Sequence, residues 1–165
     1  MLRSLVGSEM CIRDSPKVIE PEMNTSTLVS NIDLVPTVLD FLDINGEELS
    51  GISVMEKEKL NTRETLFIEC YHHDILNVER PTETILYKVA LNKKWKLMLP
   101  NTKMIVREFT QPEEQYYGYY SNQPQLYDLQ NDPEEKVNLA KQYPDIVAML
   151  SNQINNWWQP IKHMN

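Results

Sequence analysis

The first clear pattern along the chain is a helical spacing of apolar residues in the stretch SNIDLVPTVLDFLDI. Apolar residues three or four positions apart lie on one face of a helix, so we predict a helix over residues 33–42. Ser30 or Asp33 can cap its start. Asn45 and Gly46 can close its end, because both residue types accept left-handed backbone. The apolar stripe consists of Leu34, Val38, Phe41 and Leu42.

The middle of the chain changes to the β-branched and aromatic composition that is typical of strands. Three runs have it, namely TLFIECY at residues 65–71, ETILYKVALN at residues 83–92 and KWKLMLP at residues 94–100. The run KMIVREF, at residues 103–109, is a fourth candidate. Prolines lie between the runs, where a missing N–H group breaks no ladder. The pattern predicts an antiparallel sheet of about four strands.

A second helical period lies near the C-terminus. Pro144 can occupy the first turn of this helix, and Pro160 stops it. Its apolar residues form one stripe that can cover a face of the predicted sheet, and they are Tyr143, Val147, Leu150, Ile154 and Trp157. The chain is therefore predicted to be an α/β protein of the α+β kind, with a small antiparallel sheet, a C-terminal helix and one preceding helix.

Composition narrows the class of protein. The chain has 165 residues, of which 41% are hydrophobic, which is enough for one domain with a core. Its formal charge of -8 opposes binding to the phosphate backbone of nucleic acids, so we expect no nucleic-acid partner. No apolar run is long enough for a membrane span, and we expect no membrane partner. The two cysteines, Cys11 and Cys70, have no spacing that indicates zinc binding.

The opening stretch MLRSLVGSEMCIRDS differs from the rest of the chain. It has no amphipathic period, and it ends where the composition changes. We interpret residues 1–15 as an artefact-like or disordered leader and exclude them from the fold prediction.

Two stretches carry more specific information than composition does. The first is VSNIDLVPTVLDFL at residues 29–42, followed by GISV at residues 51–54, and the second is QLYDLQNDPEEKVNLA at residues 125–140. They resemble the end of the catalytic domain of type I sulfatases, in the alkaline-phosphatase-like superfamily, and the C-terminal signature that follows its sheet. YKVALNKKWKLM, at residues 87–98, is similar to a strand pair of the same family. The resemblance covers residues 25–160.

The resemblance implies a division of the chain into parts. Residues 16–60 would end the alkaline-phosphatase-like catalytic domain, residues 61–160 would form the C-terminal sulfatase subdomain, and residues 161–165 would be a tail. Within the second signature we predict a strand, a turn and a short helix, because Glu134 and Glu135 favour the positive start of a helix.

The resemblance also implies the chemistry of a parent enzyme. Sulfate-ester hydrolysis in this family uses a formylglycine, made from the first residue of a Cys/Ser-x-Pro-x-Arg motif, and a calcium ion held by Asp and Asn side chains. Neither Cys11 nor Cys70 begins such a motif, and the sequence has no Asp-Asp pair. We therefore expect no catalytic residue and no metal ligand in this chain, and calcium and formylglycine only in the parent.

Substrate recognition is the function that remains. His72 and His73 follow the first predicted strand, where loops often contact ligands, and histidines can donate hydrogen bonds to hydroxyl or sulfate oxygens. A surface or interdomain histidine pair is the structural alternative. A metal site or a catalytic triad that includes Asp74 is less favoured, because adjacent residues of an extended chain point to opposite faces.

The leading hypothesis is a sulfatase fragment that is inactive alone, whose partners are the missing catalytic domain and a sulfated small molecule or glycan. One alternative is a phosphonate or phosphodiester hydrolase of the same superfamily. Another is a non-catalytic module that binds sulfated glycans. The apolar stripe of the first helix favours a fragment, because it is suited to covering a larger sheet, and we expect the isolated chain to expose it.

Overall fold

The structure is a computed structural model, and it describes residues 24, 26–44, 49–72, 78–102 and 121–158. The α-helices and strands, in chain order, are α1 (Leu34–Phe41), α2 (Lys57–Asn61), β1 (Leu66–Tyr71), β2 (Ile85–Leu91), β3 (Trp95–Pro100), β4 (Gln125–Asp128) and α3 (Pro144–Trp157). Short 3-10 turns precede α1 at Asn31–Asp33 and β2 at Pro81–Thr84. The predicted fold class, a small antiparallel sheet with helices, is confirmed.

The four strands form one antiparallel sheet in the order β1-β2-β3-β4. The connection between β2 and β3 is short because Asn92 closes it: its Oδ1 atom accepts the N–H groups of Lys94 at 2.9 Å and Trp95 at 2.7 Å. The strand that joins β3 is β4, from the C-terminal signature. The fourth candidate run, residues 103–109, lies outside the described residues.

Helix α3 covers one face of the sheet. The register brings Phe67, Ala90, Leu97 and Leu126 into one row across the four strands. The last three are fully buried, as are two residues of the predicted α3 stripe, Leu150 and Ile154. At the ends of the helix, Trp157 stacks on Phe67 with ring centroids 4.9 Å apart, and Tyr143 contacts Trp95 at 5.3 Å. The predicted stripe therefore does cover the sheet.

Helix α1 differs because none of its residues is buried. It ends at Phe41, and Asp43 has left-handed backbone with φ of 53°. The closing residue is therefore Asp43, whose short polar side chain tolerates this conformation. The predicted closing pair, Asn45 and Gly46, lies outside the described residues. The exposed stripe includes Val38 and Phe41, the latter 57% exposed.

The short helix predicted within the C-terminal signature is wrong. Residues 129–143 form turns, and Glu135 has left-handed backbone with φ of 56°. An acidic side chain instead accepts a backbone N–H group of the predicted helix, because Asp132 accepts from Val137 at 2.8 Å. Such side-chain acceptors compete with helix formation.

Candidate functional site

His72 lies where the first strand ends and the β1–β2 connection begins. Its N–H donates to the carbonyl of Thr84 at 2.9 Å, which continues the strand pairing past the irregularity between Cys70 and Tyr71. The His72 side chain is half-buried. His73 lies outside the described residues, so the predicted histidine pair stays a prediction.

A mixed polar and aromatic cluster precedes His72 on the face of the sheet that α3 covers. Glu69 pairs with Lys88 in the register, and the Tyr71 hydroxyl donates to Glu69 at 2.8 Å. The Lys88 ammonium lies 4.2 Å from the centroid of the Trp158 ring, a cation–π distance. The cluster joins the end of β1 to the end of α3.

The protonation equilibria of the cluster follow from this packing. Burial, together with the hydrogen bond to Glu69, raises the pKa of Tyr71 to about 12. Burial lowers the pKa of Lys88, and the charge of Glu69 opposes that change. The exposed Glu69 carboxylate can accept hydrogen bonds from ligand hydroxyl groups. The sequence did not predict the pairing of Glu69 with Lys88, because only the strand register brings these two residues together.

A buried ion pair connects the start of α1 to the segment before β1. Arg63 donates from Nη1 to Asp33 Oδ2 at 2.6 Å and from Nη2 to Oδ1 at 2.7 Å. The same carboxylate accepts the N–H groups of Ser30 and Ile52, each at 2.8 Å. Asp33 is 1% exposed. We call Asp33 and Arg63 the clamp.

The clamp changes the acidity of its carboxyl group. Burial alone would raise the pKa of Asp33, but the hydrogen bonds from Arg63, Ile52 and Ser30 and the charge of Arg63 outweigh burial and lower it to about 2. The hydrogen bond to Asp33 raises the pKa of Arg63. The pair is therefore fully ionised at neutral pH.

The GISV segment, residues 51–54, lies against α1 next to the clamp. The Ser53 hydroxyl donates to Asp40 at 2.6 Å, and the N–H of Val54 donates to the Thr37 hydroxyl at 3.0 Å. A Cβ atom added to Gly51 would lie 2.1 Å from the carbonyl oxygen of Ile32, so this backbone approach requires glycine. The two parts of the first signature, residues 29–42 and 51–54, are therefore held together by polar contacts.

The implied calcium ion has no matching ligand set in the part of the chain that the structure describes. No three His, Cys, Asp or Glu side chains among those residues lie close enough together to hold a metal ion. Calcium ligation needs several oxygen atoms from such a group, so we derive no chemistry from this ion here. The described helices also include none that is long and apolar enough to cross a membrane.

Comparison with known proteins adds the family. The family model for the C-terminal part of N-sulphoglucosamine sulphohydrolase matches residues 6–159. Arylsulfatase K from Bos taurus is 27% identical over 146 residues, which is 84% of this chain and 23% of that protein. N-acetylgalactosamine-6-O-sulfatase from Bacteroides thetaiotaomicron is 38% identical over 63 residues, which is 38% of this chain and 12% of that protein.

A solved structure of a candidate sulfatase from Bacteroides thetaiotaomicron shares the fold, with a TM-score of 0.51 at 21% identity over 76% of this chain and 23% of that one. The chain thus spans less than a quarter of the length of each of these three relatives. The match to the family model covers most of the sequence and confirms the sulfatase resemblance. The chain therefore belongs to the family of N-sulphoglucosamine sulphohydrolase C-terminal domains.

Proposed function

We propose that this chain is the C-terminal part of a sulfatase, a sulfuric ester hydrolase, and that it is inactive alone. The observation that carries the proposal is the family match over residues 6–159. The residues that break a sulfate ester would lie upstream, together with the formylglycine and the calcium ion. In this division residues 16–60 end the catalytic domain and residues 61–160 form the C-terminal subdomain.

The apolar face of α1 supports the division. Val35 is 56% exposed, Phe41 is 57% exposed and Leu42 is 54% exposed. Contiguous exposed apolar surface of this kind marks an interaction site in soluble proteins. We propose that the upstream catalytic domain covers it, and that each of these half-exposed side chains contributes about 1 kcal/mol when it is removed from water.

We further propose that His72 and His73 contact the substrate. The position of His72 at the end of β1 supports this role, because strand ends and their loops carry most ligand contacts. An imidazole N–H can donate to a sulfate oxygen or to a sugar hydroxyl, and a protonated ring also supplies positive charge. The neighbouring Glu69 and Lys88 add an acceptor and a donor. The sulfatase relatives favour a sulfated small molecule or glycan as the substrate.

The proposed activity can be tested with a longer protein in which the proposed catalytic domain precedes this chain. We expect it to release sulfate from N-acetylgalactosamine-6-O-sulfate, N-sulphoglucosamine or para-nitrophenyl sulfate, and we expect no release by the 165-residue chain alone. Hydrolysis of phosphonate monoesters or phosphodiesters in preference to sulfate esters would favour the other superfamily activity. Binding of the sulfated sugars without hydrolysis would favour a non-catalytic module.

The histidine contact has its own test in the longer protein. His72→Ala should raise KM for the preferred sulfated sugar about tenfold, because one charge-assisted hydrogen bond is lost, and kcat should change less than about twofold. His73→Ala should act in the same direction. His163→Ala is the matched control, because His163 belongs to the predicted tail, and its KM should not change. Unchanged KM in both His72→Ala and His73→Ala would remove the pair from the site.

A further inference from the structure

We propose that Asp33 and Arg63 are a positioning pair, which fixes His72 at the end of β1 relative to α1 and thereby keeps KM low for substrates that reach His72. The inference rests on the proposed function, since it assumes that α1 moves with the catalytic domain and that His72 contacts the substrate. It assigns a role in substrate positioning to a buried ion pair that touches no substrate.

Strand β1 connects Arg63 to His72. Arg63 lies three residues before Leu66, the first residue of β1, and His72 directly follows β1. The strand between them is paired along its whole length with β2, so it is held as part of the sheet. Because Arg63 and His72 lie at the two ends of one strand of this sheet, a change in the orientation of the sheet relative to α1 at Arg63 also moves His72.

Helix α1 is held mainly by polar contacts. Helix α1 has no buried residue, and only Pro36, Thr37 and Leu39 are half-buried, so apolar packing within the described chain holds it weakly. Polar contacts hold the helix instead, and the clamp is the most buried of these contacts. The Asp33 carboxylate receives two bonds from Arg63 and one each from the backbone of Ser30 and Ile52. It thus connects the helix start, the GISV segment and the approach to β1.

The two hydrogen bonds between Arg63 and Asp33 have a defined geometry. Two parallel N–H···O bonds between a guanidinium and a carboxylate fix an angle as well as a distance, which a lysine ammonium does not do. Arg63 Nη1 also donates to the carbonyl of Leu28 at 3.1 Å, so the guanidinium plane is oriented from a third direction. The Arg63 side chain is 9% exposed, which keeps competing water away.

A purely structural role for the clamp makes a different prediction. An ion pair that contributes only stability would lower Tm when it is broken, without any change in substrate preference. A positioning pair changes KM selectively for substrates that reach His72. The distinguishing measurement is therefore KM for a sulfated sugar compared with KM for a small aryl sulfate, in variants that are folded at the assay temperature.

The experiment uses the longer protein with Arg63→Lys and Arg63→Met, assayed well below the lowest Tm of the set. We expect Arg63→Lys to raise KM for the preferred sulfated sugar, N-acetylgalactosamine-6-O-sulfate or N-sulphoglucosamine, by about tenfold, because a displaced His72 would lose the same hydrogen bond that His72→Ala removes. The kcat for that sugar and the KM for para-nitrophenyl sulfate should change less than about twofold.

Lys96→Met is the matched control. The Lys96 ammonium contacts both oxygens of Glu135, at 2.8 and 2.7 Å, so this pair is also bidentate at the carboxylate and partly buried. It lies wholly within the sheet subdomain, between β3 and the turns after β4. Lys96→Met should lower Tm and leave KM for the sugar unchanged.

The outcomes separate the two proposals. If His72→Ala raises KM for the sugar but neither Arg63 variant does, or if the Arg63 variants raise KM equally for both substrates, the positioning role is overturned and the proposed function remains. If the Arg63 variants raise KM while His72→Ala does not, the link to His72 is overturned. If the wild-type protein hydrolyses no sulfate ester, both proposals fail. If Arg63→Met does not fold, the KM values of Arg63→Lys alone decide whether the positioning role holds.

Discussion

The sheet with α3 and the region around α1 are stabilised in different ways, although both contain an amphipathic helix. In the first region Leu97, Leu126 and Leu150 are fully removed from water. In the second region the helix has no buried residue, and its contacts are the clamp and the hydrogen bonds of the GISV segment. The first region contains its own hydrophobic core, and the second is held by directional polar bonds.

The difference shows that an apolar stripe on a helix predicts a partner surface, but not whether that surface belongs to the same stretch of chain. Helix α3 packs on a sheet of the same chain, and its apolar stripe is buried. Helix α1 has no such sheet among the described residues, and its apolar stripe is exposed. Polar contacts can still orient the second helix, because hydrogen bonds and ion pairs depend on geometry rather than on area. Four predictions test this comparison, in order of expected effect.

Breaking the clamp should have the largest effect. Arg63→Met leaves the Asp33 carboxylate buried without its cation, which costs about 4 kcal/mol in comparable buried pairs. The free energy of unfolding can be measured in urea, and hydrogen exchange of the Ile52 amide should increase. A loss that extends equally to the amides of β3 would show that the two regions are one cooperative unit.

A cavity in the sheet region should have the next largest effect. Leu150→Ala removes a fully buried side chain between α3 and the sheet, and such changes cost about 3 kcal/mol. Hydrogen exchange should increase in β2 and β3 while the Ile52 amide keeps its protection. Equal loss of protection at Ile52 would contradict the separation of the regions.

Acid should weaken the α1 region selectively. The pKa of Asp33 is about 2, below its ordinary value of 3.8, so the ionised form is stabilised by the fold. This contribution, about 2 kcal/mol, is complete above the unfolded pKa and is lost as the pH falls from about 4 through 2. Circular dichroism and exchange at the Ile52 amide can follow it. Arg63→Met should show a smaller loss over the same pH range.

The smallest effect should come from the exposed stripe. Val38 is 44% exposed, so Val38→Thr should change the stability of this chain by less than about 0.5 kcal/mol. In the longer protein the same substitution would place a hydroxyl in a covered apolar interface and should cost about 1–3 kcal/mol. Equal small effects in both proteins would contradict the proposal that another domain covers α1.

Much of the fold follows from local pattern. The positions of α1, α3 and the first three strands follow from apolar spacing and strand composition, because each period reports the geometry of its own element. The short helix α2 was not predicted, since its stretch is dominated by charge and only Leu60 is buried. The helix predicted at Glu135 failed because local side-chain acceptors compete with helical bonding.

The candidate site was less predictable. His72 was found from its place after a strand, and the structure agrees with that place but does not test its contact with substrate. Glu69 and Lys88 were not found, because they are far apart in sequence and meet only through the β1–β2 register. Asp33 was identified as a helix cap, but its partnership with Arg63 spans thirty residues and leaves no local pattern.

The sequence by itself determined the family, helices α1 and α3 and the first three strands, because the sulfatase signatures and the apolar periods are properties of neighbouring residues. Only the tertiary structure decided that the α3 stripe is covered while the α1 stripe is exposed. Only the tertiary structure joined Asp33 to Arg63 and Glu69 to Lys88. Burial and pairing depend on which distant surfaces meet, and no local spacing specifies that.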